Sequence, residues 1–525
     1  MQRLSFWIGV AVALGITSMA HAQTPDLFGI QPNDKSHNNA AAFAVQLSEV
    51  VGIVERNYVQ PIPRKVLVGA AIRGLYDAAG REIPPTFDAE LQKSVDDPIL
   101  LQHVIREARE KLGNPERLRG AGAVHAALKA LTKSLDPYSD VIVGEPPRVV
   151  NGFDAKVPQF GLEFAEYRGD AGLVIKTVSL GSPAQKAGLR PGDRITHIDG
   201  QAINPKEVDP QSILEDDQLE LSVYRPGAKS DVQATLRKHG YDPERVLGAF
   251  RRSDNSWEYY LDEGLGIAQI RLSSIEAGSC EALIKTLEGL EKVGLRGLIL
   301  DLRWCPGGYL DEARAVADVF LGEYSLGYLM FPTPANLLAQ ADVYLDTHCN
   351  NAVVHYRPNS RTNADHQQVH ASRSFVNIPV VVLINGETMG GGELIAAVLQ
   401  DNRRAFILGQ RTRGKGSVQT MVDLSRDVSI PVPNTKLKLT NGFLIRPNGK
   451  NFHRFPDSKL SDDWGVRPDA GLEFRVSPDL NKKLRDWWEL LSLRPGFSSE
   501  SLPIDDPDAD PQRGCALRLL RKSLN

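Results

Sequence analysis

Three consecutive glycines between an apolar run and a helical pattern constrain this chain more than any other feature. Pro379-Val380-Val381-Val382-Leu383-Ile384 has the length and branching of a buried strand. Thr388-Met389-Gly390-Gly391-Gly392-Glu393 follows, and then Leu394, Ala397, Val398 and Leu399 recur at helical spacing. A strand that turns through glycine into a helix suits either a phosphate at the helix N-terminus or acyl transfer. In acyl transfer the turn presents a nucleophile, and backbone N–H groups hold an oxyanion. The Lys-Ser/Thr pair that closes a Walker loop is absent, which disfavours phosphate binding. A second apolar run, Ala405 to Leu408, leads into Gly414-Lys415-Gly416. Glycines on both sides of one lysine let the backbone turn tightly and aim the amine at a fixed point.

Glu393, Leu399-Gln400-Asp401 and Gly414-Lys415-Gly416-Ser417-Val418-Gln419 fall without a gap on one known pattern. The stretch resembles the C-terminal processing peptidases, or tail-specific proteases, where S-A-S-A-S-E is followed by A-L-Q-D and F-G-K-G-S-V-Q. The resemblance implies a Ser–Lys dyad, with Lys415 as general base and Gln419 as its supporting polar residue. The family's nucleophile is the middle serine of the turn, and the ungapped register puts Gly390 there. A glycine has no side chain with which to attack a carbonyl, so the dyad is broken as drawn. Thr388 is the nearest hydroxyl and the alternative nucleophile, with Cys305 an outside one.

Two further regions carry the resemblance. Leu298 to Arg303 is a buried strand that breaks into Trp304-Cys305-Pro306-Gly307-Gly308, similar to the family's D-L-R-x-N-P-G-G element. That similarity implies oxyanion donors at Gly307 and Gly308, together with Gly391 in the facing turn. Residues 158–238 resemble a PDZ domain, on the run Gly181-Ser182-Pro183-Ala184 through Arg190-Pro191-Gly192-Asp193. Its carboxylate loop would be Phe160-Gly161-Leu162-Glu163-Phe164, which captures a peptide's C-terminus while the peptide adds at a sheet edge. The groove helix is expected near Asp209 to Asp217.

The remaining chain frames this reading. Residues 1–22 read as a signal peptide, with Arg3, an apolar core from Phe6 to Ile16, and Ala20-His21-Ala22 before the cleavage site. That predicts a periplasmic or secreted protein without a transmembrane anchor, because the apolar core is too short to span a bilayer. Helices are expected over 40–57, 66–79, 98–112 and 121–134 in an N-terminal region of 40–150, with an insertion near 81–119. An α/β core is expected over 255–475, built of repeated strand–turn–helix units, and a C-terminal extension over 476–525. The fold class is thus α+β and multidomain. A net charge of -4 gives no support for nucleic-acid binding. The spacing of Cys280, Cys305, Cys349 and Cys515 is neither a zinc motif nor a dense disulfide framework, and leaves room for one or two disulfides. His348, His355, His366 and His370 lie in a polar connection from 327 to 375, read as a loop, so neither metal nor cofactor is expected. Three functions stay open: a binder of polypeptide C-terminal tails with weak or absent proteolysis, an endopeptidase with a displaced nucleophile, and a structural scaffold.

Overall fold

The structure is a computed structural model that describes residues 35–144, 157–164, 173–204, 213–214, 216–226, 228–241, 243–321, 342–343, 353–356, 373–493 and 509–525. The signal segment, most of the expected PDZ groove helix, Cys349, and His348, His366 and His370 lie outside the described residues.

The N-terminal region holds α1 (Lys35–Asn57), α2 (Arg64–Ala78), α3 (Phe87–Ser94), α4 (Pro98–Lys111) and α5 (Gly122–Lys133). The helix α3 was not legible from periodicity, because eight residues with only Phe87 and Leu91 as buried apolar side chains are too short for a pattern. In α4, Asp97 caps the start by accepting from the Ile99 and Leu100 amides, and Pro98 occupies the first turn, where its missing N–H costs nothing. After α5 the chain enters β1 (Asp140–Val143).

In the PDZ region, β2 (Leu162–Phe164), β3 (Leu173–Val178), β4 (Arg194–Ile198), β5 (Gln218–Tyr224) and β6 (Val232–Arg237) hydrogen-bond in that order, all antiparallel. Leu219, Leu221 and Val223 of β5 are buried while Gln218 and Glu220 are exposed, the alternation of a sheet with one covered face. Arg225 closes the domain by gripping the buried Asp193 carboxylate with two bonds of 2.8 Å.

The core sheet runs β7 (Ile267–Leu272), β8 (Gly297–Asp301), β9 (Val380–Ile384) and β10 (Phe406–Gly409), all parallel. Each of the first three strands is followed by a helix: α6 (Ser279–Lys292), α7 (Leu310–Leu321) and, after β9, α8 (Gly391–Asp401). Leu298, Leu300, Val380, Val382 and Ile384 face these helices. The alternate residues Ile299, Val381 and Leu383 point to the opposite face, so both faces need cover. Beyond the core sheet, β11 (Ser417–Asp423) pairs antiparallel with the long β12 (Thr435–Ile445). Leu437 and Leu439 of β12 enter the core of the N-terminal helices, which ties the two ends of the chain together.

The second face of the core sheet is covered by a segment that reads as an extension. Two helices form there, α9 (Pro478–Leu493) and α10 (Pro511–Leu524). Ala516, Leu517 and Leu520 of α10 pack on Ile267, Ile299, Val381, Leu383 and Leu408. The segment 509–525 is therefore part of the core. A buried charge cluster anchors it. The Arg303 guanidinium, fully buried, donates to Asp301 at 2.7 Å and to Asp510 at 2.9 and 3.0 Å. Cys280, Cys305 and Cys515 are free thiols, so among the described residues no disulfide staples this arrangement.

Replacing Asp510 by Ala leaves the Arg303 cation buried with one of its two carboxylate partners gone. A loss of about 3–5 kcal/mol in urea unfolding is expected. A change below about 1 kcal/mol would show that α10 is not held by this pair.

Candidate functional site

Gly390 is the N-cap residue of α8, with φ +57° and ψ −118°. Glycine adopts this backbone freely, and other L residues adopt it only under strain. Space is not the obstacle there: a Cβ on Gly390 would meet nothing nearer than Pro306 O at 3.6 Å and Gly307 Cα at 3.9 Å. At Gly307 and Gly308 the reverse holds. A Cβ would fall 2.5 Å from Gly391 N in the first case and 1.9 Å from Ile275 O in the second. Gly307 lets the 304–308 turn press onto the 388–391 turn, and Gly308 lets it press onto Ile275.

The link between Gly390 and Lys415 is one carboxylate. Glu393 is fully buried, and its Oε2 accepts from the Gly390 amide at 3.0 Å and from the Lys415 amide at 2.7 Å. Its Oε1 accepts from the Gly414 amide at 2.6 Å and the Thr412 hydroxyl at 2.5 Å. Burial still dominates its acidity and pushes the carboxyl up to about 7, against the pull of the four donors.

Lys415 is half-buried, and burial first, then the charge of Lys438, holds its amine below the usual lysine range, with Glu393 opposing. Its Nζ lies 5.4 Å from the centre of the Tyr138 ring. Gln419 donates to Ser417 Oγ at 2.9 Å and Thr440 Oγ1 at 3.3 Å, and Thr440 in turn donates to Asp136. Tyr138 and His453 were missed by sequence reasoning. Tyr138 arrives on the loop after α5, where Asp136 accepts from the Tyr138 and Ser139 amides and the Ser139 hydroxyl, which itself accepts from Thr440 N. The run Ser134-Leu135-Asp136-Pro137-Tyr138-Ser139 was its only signal. His453 packs edge-on to Tyr138 and Phe455, and burial lowers its pKa to about 4, so it is neutral.

Three expectations need correction. Thr388 cannot serve as alternative nucleophile in this arrangement. Its hydroxyl is fully buried, donates to Leu302 O at 2.8 Å and accepts from the Asn385 amide at 3.0 Å, locked into the floor of the turn. Cys305 is equally enclosed, and burial pushes its thiol up to about 12, far from a thiolate at neutral pH. The third concerns the oxyanion donors. The Gly307 amide is directed at the Cys305 sulfur, while no hydrogen bond among the described residues takes up the Gly308 or Gly391 amide. These two N–H groups, with the positive end of α8 behind them, can hold a carboxylate or a carbonyl oxygen.

In the PDZ region Phe160 and Leu162 are buried, Glu163 is exposed and Phe164 is half-buried on the edge strand β2. Gly161 has φ +76°, and a Cβ there would strike Ser182 Cβ at 2.2 Å, so only glycine lets the loop sit on the Gly181–Asp193 motif. Among the described residues no group of three or more His, Cys, Asp or Glu is placed to hold a metal.

A family model for peptidase family S41 matches residues 266–470, and one for a PDZ domain matches residues 174–225. Residues 266–470 are thus a region similar to peptidase family S41, beside a PDZ-like one. The chain is 28% identical over 375 residues to the chloroplastic C-terminal processing peptidase of Tetradesmus obliquus, covering 69% of this chain and 70% of that one. It is 28% identical over 356 residues to the carboxy-terminal-processing protease of Bartonella bacilliformis, covering 67% and 69%. With the carboxy-terminal processing protease CtpA of Bacillus subtilis it shares 25% over 332 residues, covering 62% of each. The solved photosystem II D1 C-terminal processing protease aligns with 87% of this chain and 99% of its own at 20% identity and a TM-score of 0.39. Against the S41 pattern F-G-K-G, this chain carries Arg413 where phenylalanine stands.

The raised Glu393 carboxyl fixes the sign of a pH effect. Unfolded, it titrates near 4.5, and folded near 7, so between those values the folded chain holds the extra proton. Stability should fall as pH rises through that window and level off above it. Urea midpoints measured across the window should show this slope, and Glu393→Gln should flatten it.

Proposed function

We propose that this chain is an exported relative of the S41 proteases that binds polypeptide C-terminal tails, with proteolysis lost or very weak because Gly390 occupies the nucleophile position. The observation that carries this reading is the pairing of Gly390 and Lys415 on one Glu393 oxygen, with the two alternative nucleophiles, Thr388 and Cys305, both buried. The amides of Gly308 and Gly391 are left to receive a peptide carbonyl or a terminal carboxylate. The edge strand β2 and its glycine loop offer a second place for a tail, in the manner of PDZ domains. In this reading 40–150, 158–238 and 255–475 are the working units, with 509–525 joined to the last. No helix among the described residues is long and apolar enough to cross a membrane, and export rests on the signal pattern of residues 1–22.

Two measurements test it. A labelled peptide ending in a free apolar carboxylate should bind the purified protein, and its C-terminally amidated twin should bind more weakly by on the order of tenfold. Equal binding of the two would remove terminal-carboxylate capture.

Restoring the nucleophile is the sharper test. Gly390→Ser places a hydroxymethyl group in open space, at a backbone cost of about 1–3 kcal/mol. Cleavage of tail peptides should rise by roughly a thousandfold or more over the parent, and adding Lys415→Ala should remove the gain. The amine must be neutral to accept the serine proton, so the gained rate should climb with pH and level off below the ordinary lysine value of 10.5. Parental cleavage that vanishes with Thr388→Ala, with no gain from Gly390→Ser, would sink the proposal.

A further inference from the structure

Four cations converge on the mouth of this site without carboxylate partners among the described residues. Lys415 lies over the Tyr138 ring. Arg413, two residues earlier on the same loop, is exposed, and its amide is fixed to Thr388 O at 3.0 Å. Arg454 donates its amide to Gly414 O at 2.8 Å, between those two residues, and rests its exposed guanidinium on Trp464, 4.4 Å from the ring centre. Lys438 comes from the neighbouring strand β12, opposite Met421 and two residues along from Gln419.

Three carboxylates are near: Glu393 and Asp136 are occupied, and Asp140 of β1 stands opposite Lys438 in the strand register and accepts from the Val141 amide. Glu393 is consumed by four internal donors. Asp136 takes the Tyr138 and Ser139 amides and the Ser139 and Thr440 hydroxyls. The balance of four cations against three anions, two of them engaged internally, leaves this rim positive, on a chain whose formal net charge is -4. The charges of Arg413 and Arg454 both act on the Tyr138 hydroxyl, which places them around one ring.

We propose that the rim formed by Arg413, Lys415, Lys438 and Arg454 selects acidic peptide tails, reading Asp or Glu side chains beside the segment that enters the Gly390–Lys415 cleft. This rests on the tail-binding reading above and names the class of tail. Concentrated positive charge at a cleft mouth steers an anionic chain inward and rejects cationic ones. Side chains without internal partners need give up only water to bind. Arg413 also brings a planar fork suited to a carboxylate, which a lysine would not.

The test compares two labelled peptides of equal length with the same free apolar C-terminus. One carries three Glu residues upstream, and the other carries Gln at those positions. By fluorescence anisotropy at low salt, the acidic peptide should bind about tenfold more tightly, and the gap should close as salt is raised. Arg413→Gln combined with Lys438→Gln should erase most of the gap, with the larger loss of affinity falling on the acidic peptide. Arg413→Glu should narrow the preference more than Arg413→Gln does, and an unaltered thermal midpoint shows that the fold is intact in each variant. Equal affinity for the two peptides overturns the acidic-tail inference and leaves tail binding standing. Failure of both peptides to bind overturns both readings. A DNA oligonucleotide of matching charge that binds as tightly as the acidic peptide would also overturn peptide selection, because it would show attraction to any polyanion.

Discussion

The site depends on one buried carboxylate. Glu393 sits at the third position of α8, reaches back to the Gly390 amide and forward to Thr412, Gly414 and Lys415. Each of those donors would cost about 1–3 kcal/mol if left buried without a partner. Two loops that meet nowhere in sequence are therefore held at one distance by one side chain. The arrangement tolerates a glycine at the N-cap because the frame is made by the residue three places on. The geometry around Gly390 therefore does not depend on a side chain at that position.

The parts legible in the sequence are those with a local period. The run Val380–Ile384 followed by three glycines and the spacing of Leu394, Ala397 and Val398 announced β9, the turn and α8. The PDZ motif was legible because its turns demand glycine at Gly161 and proline and glycine before Asp193. The site was legible only along its own stretch. Lys415 and Gln419 could be named, whereas Tyr138 and His453 reach the lysine from positions hundreds of residues apart, brought there by the pairing of helices with β12. No local pattern encodes such a meeting.

Thr388 and α10 failed for different physical reasons. A hydroxyl two residues from the expected nucleophile looks available in a linear reading, yet the turn needs that hydroxyl to satisfy the Leu302 carbonyl and the Asn385 amide. The helix α10 carries Arg513, Arg518, Arg521 and Lys522 among its apolar residues, so its composition suggests a solvent face. Its burial follows from Ile299, Val381 and Leu383, on which its Ala516, Leu517 and Leu520 pack. Arg513 itself is buried beside Trp487 and Trp488, with its guanidinium 5.1 and 5.2 Å from their ring centres. Aromatic faces let a cation be enclosed where composition alone argues against it.

The placement of α10 has a consequence for how the molecule is made. A chain synthesised from its N-terminus presents β7 to β10 long before residue 510 exists. One face of that sheet, with Ile299, Val381, Leu383 and Leu408, stays only partly covered until α10 arrives. Arg303 waits for Asp510 over the same interval, and Arg303 begins the turn that leads to Gly307 and Gly308. The cleft is thus finished last, although most of its residues are made early. During that interval the nascent sheet is a surface for chaperones or for aggregation, and a binding-competent cleft exists only after the whole chain has been read.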